Sequence, residues 1–158
     1  MRISVLLLAA CATFLTSCGS EPKVEAPAAP KSVEPPKPAD ESRHFPKTNL
    51  GETKVVGNHL LGKAFMPGGT MAHYKRGKTE YDMFLAKLGS PLDSAILLPD
   101  WDKALAGSKL VPSFGGYFGL DAGRPVFVFS KGAWIAGIVG LPQKEADAEA
   151  RTLAGQLR

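Results

Sequence analysis

Short apolar runs separated by Gly and Pro fill the chain from about residue 46 onward, and their spacing predicts a mixed fold. Thr53–Val56 and Leu60–Met66 are apolar and read as strands, with Pro67-Gly68-Gly69 as a turn. Thr70–Lys75 and Thr79–Leu88 flank Arg76-Gly77, the spacing of a hairpin whose glycine supplies a positive φ. In the second run Tyr81, Met83 and Leu85 share one face, and Glu80 and Asp82 share the other. Ser90-Pro91 opens a helix: Ser is a good N-cap, Pro suits the first helical position, and Asp93 sits in the positive first turn. Ala95, Leu97 and Leu98 are expected to face the core, and Pro99 to interrupt the helix before a second piece over Asp100–Leu105. Phe114–Leu120, Pro125–Ser130 and Ala133–Gly140 read as strands joined by tight turns. A last helix over about Gln143–Leu157 carries a narrow apolar stripe of Ala146, Ala150, Leu153, Ala154 and Leu157.

Strands, a helical segment, more strands and a closing helix give an α+β fold. The expected architecture is a mainly antiparallel sheet of about five to seven strands, with helices on one face and a C-terminal helix. The strands between residues 125 and 140 are apolar on both faces, the pattern of central strands covered on both sides. If helices cover one face only, then sheet curvature, a ligand or a partner must cover the other.

The N-terminus has a different pattern. Residues 1–17 carry one positive charge, Arg2, followed by an apolar run from Ile3 to Leu15. That run suits a signal-peptide core and is shorter than the roughly twenty residues a spanning helix needs. It ends in Leu15-Thr16-Ser17-Cys18, which resembles the lipobox of bacterial lipoproteins. The resemblance covers about the first eighteen residues. It implies cleavage before Cys18, a thioether-linked diacylglycerol on Cys18, and often a further acyl chain on its amino group. Two or three chains hold a protein on a membrane durably, where one does not. Gly19, not Asp, follows the cysteine; by the family's sorting rule this implies the outer membrane, facing the periplasm, in a host with two membranes.

Composition sharpens the division. The chain has 158 residues, one domain's worth, and its 13 prolines are concentrated near the N-terminus. Residues 18–45 read as a Pro-rich disordered tether, with large apolar residues nearly absent and charges that nearly cancel. Residues 46–158 remain as a single α+β domain. Cys11 falls in the removed segment and Cys18 is consumed by lipid, which leaves no thiol for a disulfide, a thiolate metal site or a nucleophile.

No contiguous motif carries chemistry. Gly115-Gly116-Tyr117-Phe118-Gly119 lacks the ending and spacing of a nucleotide loop, and reads as a strand with close packing. His59 and His73 with Asp82 show no metal-ligand spacing. No Gly-x-Ser-x-Gly elbow is present, and Asp100-Trp101-Asp102 falls where a helix restarts. A pocket bringing His59 or His73 onto a carboxylate would revive an envelope hydrolase. Lys75, Arg76 and Lys78 crowd a hairpin tip that could meet anionic headgroups or an acidic partner. With Tyr74, Tyr81, Tyr117, Phe118 and Trp134 they form the candidate binding surface.

The order of a Tyr-bearing hairpin, a Ser-Pro helix start, a Gly-Gly-Tyr strand and an Ala-rich closing helix is similar to uncharacterised domains of secreted bacterial proteins, which brings no activity with it. The reading is therefore a lipid-anchored cell-envelope protein. It touches the membrane through Cys18, and its non-catalytic domain binds an envelope partner or a small apolar ligand. No cofactor, metal or nucleic acid is expected. The alternative is a structural or assembly accessory of an envelope complex, marked by a flat exposed apolar patch in place of an aromatic groove.

Overall fold

The structure, a computed structural model, describes residues 38–158. The signal segment, the lipobox, Cys18 and the tether through residue 37 lie outside the described residues. Seven strands form one antiparallel sheet: β1 (Leu50–Asn58), β2 (Pro67–Arg76), β3 (Thr79–Lys87), β4 (Ala106–Val111), β5 (Gly116–Asp121), β6 (Arg124–Lys131) and β7 (Trp134–Val139). Their order is β1-β2-β3-β7-β6-β5-β4. Helix α1 (Pro91–Ala104) links β3 to β4, and α2 (Gln143–Gln156) closes the chain. The α+β class, the antiparallel sheet and the C-terminal helix are as the sequence predicts.

The turns follow local chemistry. Gly77 takes φ 61° as the first of two residues linking β2 to β3, and Gly132 takes φ 56° in the same place between β6 and β7. A glycine at the first turn position matches the right-handed twist of the flanking strands. Between β5 and β6 both Ala122 and Gly123 have positive φ. Ser90 caps α1, accepting from the Asp93 N–H at 3.2 Å.

The two helices lie on opposite faces, which corrects the expectation of helices on one face. In one cluster Leu98, Trp101 and Leu105 pack with Phe84, Val126, Val128, Ile135 and Val139. In the other, Ala146, Ala150, Leu153 and Leu157 pack with Met83, Phe127, Phe129, Ala136 and Ile138. Alternating residues of β3, β6 and β7 thus point to different helices. Gly137 lets the layers close, because a Cβ there would meet the Phe84 ring at 2.5 Å. The doubly apolar strands β6 and β7 are central, as their pattern predicts. The chain itself covers both faces, so the premise that pointed to a ligand or partner over a second face is removed.

Each helix reaches only part of its face, and an irregular segment covers more. Leu60–Met66, expected as a strand, is instead a 3-10 turn and loop. His59 and Leu61 adopt left-handed φ there, and Leu60 and Met66 are buried against the α1 side. On the α2 side the covering comes from residues 41–46, all but the last assigned to the tether. Phe45 is buried in that cluster, Pro46 accepts a 2.8 Å hydrogen bond from Tyr74 Oη, and Glu41 N–H donates to the buried Thr70 at 3.0 Å. The packed domain therefore begins by residue 41, before the expected boundary at 46. Phe45, one large apolar side chain in a polar stretch, anchors it together with those hydrogen bonds.

Smaller differences have similar causes. Pro99 does not break α1; it sits on the exposed side, where water can reach the carbonyl it leaves unpaired. Ala95 is exposed, while Ser94, Leu98 and Trp101 form the buried face. Strand β4 is an edge strand with mostly exposed residues, and its sequence carries no strand pattern.

Candidate functional site

The predicted binding surface does not assemble. Tyr74, Tyr81 and Trp134 are buried. The tyrosine rings stack across the β2–β3 hairpin with centroids 5.1 Å apart. Burial pushes the Tyr74 phenol well above its usual range and, reinforced by Glu149, raises Tyr81 to about 12. Trp134 is covered by His44, 5.0 Å away, and by the Lys87 ammonium at 5.3 Å. Tyr117 and Phe118 are half-buried, but neighbours on a strand point apart: Tyr117 packs with the α1 cluster and Phe118 with the α2 cluster. No single groove contains both.

The basic tip is largely neutralised. Arg76 reaches Glu145 at 2.5 Å and Glu149 at 3.0 Å, which fastens the hairpin to α2. Lys75 lies 2.9 Å from Glu80; their hydrogen bond raises the lysine's pKa and lowers the glutamate's. Lys78 is exposed on the turn.

Two other features stand out. The first is polar. His73 and Asp82 pair directly across the hairpin, with Nδ1 and Oδ1 2.8 Å apart, and Arg124 from β6 donates to the other Asp82 oxygen at 3.0 Å. Glu52, Lys54, Met71, His73 and Asp82 line an open groove of about 260 Å³. A carboxylate on Nδ1 fixes the imidazole and leaves Nε2 free as a base. Yet no Ser, Thr or Cys lines the groove, and among the described residues no group of three His, Cys, Asp or Glu could hold a metal. His59 follows the far end of β1, so the two imidazoles do not meet.

The second is apolar. Leu92 is 67% exposed and Ile96 64%, and exposed Ala95 and Pro99 share their side of α1. The sequence reading missed this ridge. Its signal was present as apolar residues at helical spacing on the side opposite Leu98 and Trp101. Leu110 and Leu120 are the other large apolar residues exposed on the described surface.

No family model and no curated protein matches the chain. Among solved structures, the chain is similar to a GTP-binding regulator from Thermotoga maritima, with a TM-score of 0.53 and 8% identity. That likeness covers 73% of this chain and 82% of the other, and it shows a shared fold.

Proposed function

We propose that this protein is a lipid-anchored domain of the bacterial cell envelope that binds an envelope component through its surface and does no chemistry. Leu15-Thr16-Ser17-Cys18 supports the anchor, and Gly19 supports the outer membrane, facing the periplasm, where the host has two. One observation carries the binding role: over the central strands both sheet faces are closed by the chain's own elements, while α1 keeps an apolar ridge in solvent. A domain built this way presents an apolar surface and does not enclose a ligand between its layers. An exposed apolar patch is present and an aromatic groove is not, which favours contact through the surface over a bound apolar ligand. The test is fractionation of cells making the wild type or C18A. The wild type should sediment with membranes and carry acyl mass on Cys18, and C18A should not. Equal partition of the two would sink the anchor.

The His73–Asp82 pair favours a second reading, a hydrolase in which His73 Nε2 activates water. The cross-strand geometry supports it, and with no Ser, Thr or Cys lining the groove the nucleophile in this reading is water. Ester or amide turnover that disappears in H73A with the fold intact would establish it over the first.

A further inference from the structure

We infer that the outer ridge of α1 seats on the surface of the membrane that holds the anchor, and that this surface is neutral phospholipid. The inference rests on the lipid-anchor reading above. Leu92, Ala95, Ile96 and Pro99 fall at i, i+3, i+4 and i+7 on one side of a helix whose other side, through Ser94, Leu98 and Trp101, is fixed to the sheet. The ridge cannot turn inward, because α1 is already held there. The Ser94 hydroxyl lies 2.6 Å from the Gly132 carbonyl, and Trp101 Nε1 donates to Met66 Sδ at 3.2 Å.

The length of chain between Cys18 and the domain bears on what covers the ridge. Pro38 lines the same hollow as Leu88, two residues before the Ser90 cap. The described chain therefore begins at the end of the sheet from which α1 starts, on the α2 face, where Glu41 N–H meets Thr70. Twenty residues, 18–37, separate lipid from domain. At roughly 3.1 Å per residue a Pro-rich tether of that length reaches about 60 Å at most, and a flexible one averages nearer 25 Å. The whole domain, ridge included, is thus kept within tether reach of the bilayer at a high effective concentration. Tethering matters because the ridge is small. Four side chains fall far short of the roughly twenty to thirty residues a stable protein interface uses on each side. An anchored domain needs only a few interfacial apolar side chains to settle against lipid.

Charge selects the lipid. Asp93, Asp100 and Asp102 flank the ridge on α1, and the lysine of the same helix, Lys103, lies 3.1 Å from Asp100. An acidic flank is repelled by anionic headgroups and tolerated by zwitterionic ones.

The full-length lipidated protein tests this. An environment-sensitive fluorophore is attached at L92C or, as a control on exposed α2, at T152C. The protein is then placed in phosphatidylcholine vesicles, with or without nitroxide-labelled acyl chains. The probe at position 92 should shift to the blue and be quenched by the nitroxide, insensitive to salt and weakened by added anionic lipid. The probe at 152 should do neither, and I96E should abolish the shift at 92. A water-like spectrum at 92 on a chain that floats with the vesicles overturns the ridge contact and leaves the anchor standing. A blue shift at 92 that follows protein concentration and ignores the nitroxide overturns it in favour of a second copy. A chain that does not float and carries no lipid on Cys18 removes the anchor and this inference together.

Discussion

Helices α1 and α2 are each fourteen residues long and lie on opposite faces of one sheet, yet they treat solvent differently. In α2 the apolar residues form one stripe, Ala146, Ala150 and Leu153, and the outer side carries charges such as Lys144, Asp147 and Arg151. Small alanines let it sit close to strands already bearing Phe127 and Phe129. In α1 the buried side holds the bulky Leu98 and Trp101, and the outer side holds Leu92 and Ile96. A surface helix in a soluble domain is expected to be polar outside, as α2 is. The difference separates a helix that only completes a core from one that also offers a surface.

The largest expected effect lies on the inner side of α1. Trp101→Ala removes a buried ring that touches Phe65, Phe84 and Met66, and should cost about 3–5 kcal/mol by urea denaturation. A loss under about 1 kcal/mol would mean that α1 is not fixed to the sheet in this way.

Next is the covering beyond α2. Tyr74→Phe leaves the Pro46 carbonyl without its donor and should cost about 1 kcal/mol. The same tyrosines make stability depend on alkali. Native phenols with raised pKa stay protonated while unfolded ones ionise near pH 10, so stability is complete below pH 10. It falls as pH rises toward 12, the value Tyr81 reaches in the fold. Melting temperature followed from pH 9 to 12 should drop in the wild type and drop less in Y74F/Y81F. A flat profile would place the phenols in water.

Arg76→Ala should cost no more than about 1 kcal/mol, because its ion pairs with Glu145 and Glu149 are partly exposed and screened by salt. The smallest effect on stability belongs to the outer ridge. Leu92→Glu should change it by less than about 0.5 kcal/mol, because that side chain meets solvent. A large destabilisation there would mean that the ridge is core, and the contrast between the helices would collapse.

Much of this is legible in the sequence. The β2–β3 hairpin follows from two β-rich runs around a Gly turn, and that turn puts His73 opposite Asp82 with no help from the rest of the fold. The start of α1 follows from Ser90-Pro91, and the inner stripe of α2 from its alanine spacing. Strand β4 was illegible, because an edge strand borrows its hydrogen bonds from β5 and needs no apolar face of its own. The start of the domain is not legible because composition averages over a window, whereas the packing comes from single residues such as Glu41 and Phe45.

The sequence by itself determined the local elements, the central place of the doubly apolar strands and the lipobox resemblance, because turn chemistry and side-chain period act over a few residues. Only the tertiary structure decided which face each helix takes. Pairing β3 with β7 joins two segments about fifty residues apart, and that long-range contact sets which side of the sheet is left for α1 and which for α2. The packed layers bury the candidate aromatics Tyr74, Tyr81 and Trp134, while Leu92 and Ile96 stay in solvent on the outer side of α1. A residue's type shows that it can be buried; only the packed neighbours decide that it is.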